Sequence, residues 1–400
     1  MARAPVVRSA GGGTVTNPSL PADERTPLAG RRVTEVLATS TGGVGTHVRS
    51  ILAPLRAAGA EVQVCGPAAT DELFDFAGTG ASFRPVEISA GLAPGADARA
   101  VAALRRALSG TDLVHAHGLR AGLVAAAARR LAPRAPRLVL TLHNALPERG
   151  GLVRLVLAAL ERATVRGADV VLAASGDLAD NARRLGARDV RTAPVSAPPL
   201  PPVRRTRAEV RAGLGLADGR PLVVAVGRLH PQKGYEFLLD AAARWVAEGG
   251  QVPLVAIAGD GPLHDDLARR IDAEGLPATL LGRRDDVADL LSAADVCVLP
   301  SRWEARSLTA QEALRIGTPL VATRTGGLPE LLGDAAELVE VGDAGALADA
   351  VVRVLTDPAH AARLVEAGRR QAATWPDEAG TAAQLVALYR ELLGPPRGKP

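Results

Sequence analysis

Lysine is almost missing from this 400-residue chain. Of its 47 basic residues only Lys233 and Lys399 are Lys, and the rest are Arg. Aromatics are also few, at 3 Trp, 2 Tyr and 4 Phe. Proteins that hold single strands or sugars mainly by stacking need more. Two cysteines, Cys65 and Cys297, stand far apart in apolar runs. They exclude a disulfide framework or a cysteine-built zinc site and read as small buried hydrophobes. No run of about 18 uncharged apolar residues exists to cross a bilayer as a helix. Residues 1–10 lack the apolar stretch of a signal peptide, so the expected compartment is the cytoplasm. Net charge is only +4 despite a pI near 9.6, and a nucleic-acid partner, which needs a concentrated basic patch, is not expected.

What is present is an ordinary globular composition, 47% apolar and 22% charged, in a chain long enough for two domains. Residues 1–30 carry Gly, Pro, Thr and Ser without periodicity and read as a disordered leader. Short β-branched runs then alternate with Ala/Leu-rich helical stretches. The first series predicts strands at 33–38, 60–65, 83–88, 113–116, 137–142 and 170–173, with helices at 46–58, 96–109, 119–131, 151–166 and 176–185. Residues 194–203, PVSAPPLPPV, form a semi-rigid connector that cannot enter a sheet interior. A second series follows, with strands at 222–226, 254–258, 278–281, 296–299, 319–322 and 338–341. Its helices fall at 206–213, 234–248, 262–273, 286–293, 307–316, 344–356 and 358–371, and a last helix at 377–393 follows Trp375-Pro376.

The predicted fold class is therefore α/β, two Rossmann-like, doubly wound parallel-sheet domains facing a cleft. The boundaries expected are an N-terminal domain at 31–195, a linker at 196–205, a C-terminal domain at 206–375, a returning helix at 376–393 and a tail at 394–400. Ligands in such folds sit beyond the carboxyl ends of the strands.

Three segments carry chemistry. The first strand runs into TSTGGVGTH (39–47), where Gly42, Gly43 and Gly45 let backbone approach a ligand and a helix start favours an anion. The spacing is not that of a dinucleotide loop, and Cys65-Gly66 stands where an NAD-binding acid would be. The second domain opens with GRLHPQKG (227–234), whose Arg228 and Lys233 flank a turn at a helix start. Two cations plus a dipole end suit a phosphate or diphosphate. In a chain that uses Arg almost everywhere, Lys233 marks a place where a compact ammonium matters. The third segment, SRWEARSLTAQEALRIGTPLVATRTGGLPEL (301–331 onward), holds Glu304 in a loop and Glu312 in a helix. Amides at Ser307 and Leu308 face the cleft if the helix starts there. Carboxylates beside an anion site suit neutral hydroxyls, such as those of ribose or hexose.

Taken together, GGVGTH, GRLHPQKG, AGDGPLHDDL (258–267) and the Glu304…Glu312 segment resemble family 4 of the glycosyltransferases, of GT-B fold. The resemblance covers about residues 33–393. It implies a retaining transferase that moves a hexosyl group from a UDP- or GDP-sugar co-substrate to an acceptor hydroxyl, with no cofactor and no metal. Arg228 and Lys233 would grip the diphosphate, Glu312 the ribose hydroxyls, and Glu304 the transferred sugar. Gly42, Gly43, Ser307 and Leu308 would close on phosphates and sugar, and the final helix would cross back to the N-terminal domain. Glu304, His117, Arg228 and Lys233 form the implied catalytic set. The chain departs from the family at PVSAPPLPP, where many relatives carry Asn-Gly-Val-Asp, and at Ala305, where a glycine is frequent.

In the first domain, DLVHAHG (112–118) puts His115 and His117 on one side of a strand end, and His143 ends the next strand. A metal reading is disfavoured because no carboxylate completes a ligand set. By resemblance His117 lines the cleft on the acceptor side, with His143 beside it, while His47 is expected to cap its helix locally. Residues 150–169, with Arg149, Arg154, Arg162 and Arg166 nearby, read as a core helix with a basic edge or as an amphipathic helix at the inner membrane face. Competing activities are a nucleotide-sugar epimerase of the same fold and a non-catalytic sugar-binding protein.

Overall fold

The computed structural model describes residues 26–89, 91–145, 151–193, 195–216 and 219–396, without the side chains of 152–154. The expected leader up to residue 25, Arg149, Arg154's side chain, Pro194 and Lys399 lie outside the described residues.

Two parallel sheets form the molecule. The first orders its seven strands β3-β2-β1-β4-β5-β6-β7 and the second its six strands β10-β9-β8-β11-β12-β13. The first set is β1 Arg32–Leu37, β2 Glu61–Gly66, β3 Ser82–Pro85, β4 Leu113–His117, β5 Arg137–Leu142, β6 Val170–Ala173 and β7 Val190–Thr192. The second is β8 Leu222–Val226, β9 Leu254–Ala258, β10 Ala278–Leu280, β11 Val296–Leu299, β12 Leu320–Thr323 and β13 Glu337–Val339. Helices cover both faces of each sheet, which is why the strands read as continuous apolar runs rather than as alternating ones. Each sheet separates two buried clusters, one per face. Strand order reverses at β1/β4 and again at β8/β11, so each domain has a switch-point crevice at the carboxyl ends of its strands.

Strand β3 is shorter than expected, ending at Pro85, because proline cannot continue a ladder. The helices Ala68–Phe74 and Leu328–Leu332 and the strand β7 are additional elements, each too short for a periodicity to register. Residues 26–30 correct the disordered-leader reading. They form a turn whose Leu28 is fully buried in the cluster beneath β1 and the helix Gly43–Ala57. The thiols of Cys65 and Cys297 are buried, and burial pushes both up to about 12.

The connector is strapped to the second domain. Gln311, fully buried, donates to Val195 O at 3.1 Å and accepts from Ala197 N at 3.0 Å, while Arg315 donates to Ala197 O at 2.6 Å. After Trp375 the chain recrosses, and the helix Glu378–Leu393 buries Leu385, Leu388 and Tyr389 in the first domain's core. Arg191 pairs with Glu391 at 2.6 Å, and Arg31 donates to Leu393 O at 2.6 Å, fixing that helix end.

Leu28→Ala is expected to lower unfolding stability by about 3 kcal/mol, the usual cost of emptying a filled core site. A urea midpoint equal to that of the parent protein would place residues 26–30 outside the cooperative core.

Candidate functional site

The loop after β8 turns at Gly227 and runs through Arg228 to Lys233. Gly234, at φ +62, starts the helix Tyr235–Glu248. A Cβ on Gly234 would fall 2.1 Å from Pro300 O, so only glycine lets this loop lie against the end of β11. That contact sets Lys233 beside the loop holding Glu304. Lys233 Nζ donates to Glu304 Oε1 at 2.5 Å and Ser301 Oγ donates to the same oxygen at 2.7 Å. Glu304 is only 6% exposed. The two residues assigned to separate parts of a ligand thus form one ion pair in this structure. The Arg228 guanidinium has no hydrogen-bond partner among the described residues. It depresses His230 together with burial and Lys233, so both cations bear on one spot.

Across the crevice stands the loop after β1. Positions that a Cβ would take at Gly42 and Gly43 lie 3.8 Å from Arg228 Cδ and 3.3 Å from Leu308 Cδ1. No side chain caps the helix Gly43–Ala57 at Gly42, while the Ser40 hydroxyl accepts from Gly45 N at 3.1 Å. The helix Leu308–Ile316 begins one residue later than expected, with Ser307 as its cap. The Ser307 hydroxyl accepts from Ala310 N at 3.3 Å. Glu312 follows Leu308 by one turn, on the same helical face. It is half-buried with no hydrogen-bond partner among the described residues, and burial raises its carboxyl to about 7. The structure thus gathers Gly42, Gly43, Arg228, Lys233, Glu304, Ser307, Leu308 and Glu312 along one crevice.

Further bridges close the two walls. Trp303 Nε1 donates to Asp177 at 3.0 Å and Gly176 N donates to Glu330 at 2.9 Å. Ala305 is buried within the first domain's core cluster. Asp177 and Glu330 carry no local signal, because each bonds to a partner in the other domain.

The histidines gather at the carboxyl ends of β4 and β5, and here two expectations are corrected. A carboxylate does accompany them. Glu35, in the middle of β1 and fully buried, lies with His115 and His117 so that three potential ligand atoms fall within 4.8 Å of one another. The single signal was an acid inside an otherwise apolar strand, VTEVL. Those atoms are already hydrogen-bonded: His117 Nε2 to Glu35 at 2.8 Å, Tyr389 OH to Glu35 at 3.0 Å, and His115 to Tyr389 and Thr141 at 2.6 Å each. These contacts join the three residues into one buried hydrogen-bonded network. His47 does not cap its helix. It is 5% exposed, packs edge-on against His117 and His143 with centroids 5.7 and 5.6 Å away, and burial lowers it to about 3. His117 has both ring nitrogens engaged, the second with His143 at 3.2 Å, and His143 is the more exposed of the two, at 9% against 3%.

Comparison with known proteins follows these features. Residues 206–371 match the family described as Glycosyl transferases group 1, and residues 42–198 match the Glycosyl transferase 4-like domain. The chain is 35% identical over 192 residues to the alpha-D-kanosaminyltransferase of Streptomyces kanamyceticus, covering 46% of this chain and 49% of that one. It is 34% identical over 204 residues to the D-inositol 3-phosphate glycosyltransferase of Corynebacterium urealyticum, covering 48% of each. It spans about half the length of these curated relatives. Among solved structures, Anabaena Alr3699/HepE in complex with UDP-glucose superposes with a TM-score of 0.74 at 22% identity, covering 90% of this chain and 99% of that one. That likeness is one of fold.

Glu312 generates a pH test. Between its ordinary 4.5 and about 7 the folded chain keeps a proton that the unfolded chain has lost. Stability therefore falls as pH rises across that window and levels off above it. Glu312→Gln should remove this fall, leaving the variant more stable than the parent at pH 8 by on the order of 1–2 kcal/mol and equal to it at pH 4. Parallel stability–pH curves for the two proteins would show that Glu312 is not so placed.

Proposed function

Because the chain belongs to the family-4-like glycosyltransferases of GT-B fold, we propose that it transfers a hexosyl group from a UDP- or GDP-sugar to an acceptor hydroxyl, with retention and without a metal. The observation that carries this reading is the Lys233–Glu304 pair in a crevice whose opposite wall brings Gly42 against Arg228. One wall supplies cations, the other the backbone of a helix start, and carboxylates lie between them. Such a site neutralises a diphosphate while offering acceptors to hydroxyls. The UDP-glucose held by the neighbour of the same fold supports a nucleotide sugar as donor.

In this proposal Lys233 exchanges part of its contact with Glu304 for a phosphate oxygen, and Arg228 takes the other phosphate. Glu304 then accepts from a hydroxyl of the transferred sugar. Glu312 accepts from the ribose hydroxyls. The bond from the anomeric carbon to the diphosphate breaks as the acceptor oxygen bonds to that carbon on the same face. The acceptor's proton passes to a phosphate oxygen. The ammonium, the guanidinium and the amides near Gly42 and Ser307 stabilise the departing charge. The histidine cluster borders the acceptor side.

Among the described residues no helix is long and apolar enough to cross a membrane. The helix Gly151–Gly167 exposes Leu155 at 67% and Val156 at 46%, on the same helix as Arg162 and Arg166. Exposed apolar and basic side chains on one helix support contact with an anionic membrane surface. Pelleting with anionic vesicles that is lost in a Leu155→Asp, Val156→Asp double variant is the expected result, and failure of the parent protein to pellet removes the membrane contact.

Lys233→Arg should lower turnover at least tenfold while thermal unfolding stays within a few degrees of the parent, because a planar fork cannot replace a point ammonium between a carboxylate and a phosphate. Nucleotide release from UDP- and GDP-sugars, with and without acceptor, measures it. Near-normal turnover in the variant would remove the point-charge argument, and no release from any donor would leave a binding protein instead.

A further inference from the structure

The buried network beneath the acceptor side has a direction. Tyr389 OH donates to Glu35 Oε1 at 3.0 Å, while its oxygen lies 2.6 Å from His115 Nδ1, and His115 Nε2 lies 2.6 Å from Thr141 Oγ1. On the other side, Glu35 Oε2 is 2.8 Å from His117 Nε2, and His117 Nδ1 is 3.2 Å from His143 Nε2. A carboxylate only accepts, and a neutral imidazole has one donor and one acceptor nitrogen. With Glu35 ionised and each ring neutral, one assignment gives every contact a single hydrogen. His117 carries its proton on Nε2 and accepts at Nδ1, so His143 must donate from Nε2. That leaves Nδ1 of His143 as a bare lone pair, without a partner among the described residues. The mirror branch runs from Thr141 through His115 and Tyr389 to the same carboxylate. Burial lowers His115 and His143 well below the ordinary histidine range, which favours the neutral form of those two rings.

We infer that Glu35 is a positioning residue that sets the polarity of this chain, so that His143 meets the acceptor as a hydrogen-bond acceptor and selects a hydroxyl. This rests on the transferase reading for what occupies the acceptor side, but the polarity itself does not. Glu35 touches no substrate and acts through His117. The mirror branch enters from the far end of the chain, since Tyr389 is 354 residues from Glu35. The helix Glu378–Leu393 therefore contributes one donor to the carboxylate without deciding the tautomer of His117.

The isosteric change Glu35→Gln tests this. If its carbonyl keeps the Tyr389 hydrogen bond, its amide must donate to His117 Nε2, and the proton of each ring on that branch moves to Nδ1. His143 then meets the acceptor as a donor. Nitrogen-15 spectra of histidine-labelled protein, with peaks assigned by His117→Gln and His143→Gln, should show both rings protonated at Nε2 in the parent and at Nδ1 in the variant. With the nucleotide sugar and acceptor that support turnover in the parent, kcat/KM for the acceptor should fall at least tenfold while the donor KM stays within threefold. Tyr389→Phe should leave tautomers and kcat/KM within threefold of the parent. A doubly protonated His117 in the parent, unchanged tautomers in Glu35→Gln, inverted tautomers with unchanged acceptor kinetics, or a Tyr389→Phe loss equal to that of Glu35→Gln each overturns the inference. The parent spectrum decides the polarity even if Glu35→Gln does not fold. An absence of turnover with every donor counts against the transferase reading alone, since the spectra need no substrate.

Discussion

The Lys233–Glu304 ion pair is the contact on which the crevice turns. Its partners lie 71 residues apart, on loops following different strands, and both are largely shielded from water. A carboxylate held in such a place without a cation would be strongly unfavourable. The pair therefore fixes the loop after β11 against the loop after β8, and with it the start of the helix Leu308–Ile316. Arg228, Ser307 and Glu312 inherit their positions from that one arrangement. The three ammonium hydrogens of Lys233 also allow the pair to open toward an entering phosphate without abandoning the carboxylate, which a bidentate fork would resist.

Backbone contact makes the arrangement narrow. A Cβ on Gly326 would lie 2.0 Å from Glu304 O at a φ of +52, so the TGG turn is pressed directly on the Glu304 loop. The same loop faces the first domain through Trp303, which donates to Asp177, and through Ala305, buried against the first core. The methyl of Ala305 is thus a contact between domains. A loop gripped from both sides transmits any change in domain spacing to the carboxylate of Glu304. In this geometry the candidate crevice and the domain interface are one structure.

Much of this was legible in the residues. Strand cores such as 137–142, 170–173, 222–226 and 254–258 coincide with the observed elements, because a parallel strand buried on both faces leaves an unbroken apolar run with polar punctuation. Lys233 declared itself by contrast with an arginine-rich background. Glu35 did not, because a single acid in VTEVL looks like a tolerated polar residue until the strand order places it beside β4. Tyr389 was equally silent, since its meaning depends on where a helix recrosses a domain boundary. Partners from distant segments carry no local period or spacing. The pairing of Lys233 with Glu304, rather than with a phosphate, was hidden for the same reason, since motif reasoning supplies each residue with a ligand and leaves out the neighbour that holds it beforehand.

The recrossing helix joins these two halves of the chemistry. The chain leaves the second domain past Trp375, whose ring lies 5.7 Å from the Arg306 guanidinium and 6.0 Å from that of Arg315. Arg306 also holds Val195 O and Arg315 holds Ala197 O, so both strands of chain passing between the domains are gripped by the same two arginines. The connector at 195–197 is therefore held by the second domain, and Pro376 stands just past the other clamp. Since the far end of the returning segment inserts Tyr389 under Glu35, that helix packs with the first domain. The two arginines and the histidine network thus anchor opposite ends of one returning segment, one in each domain.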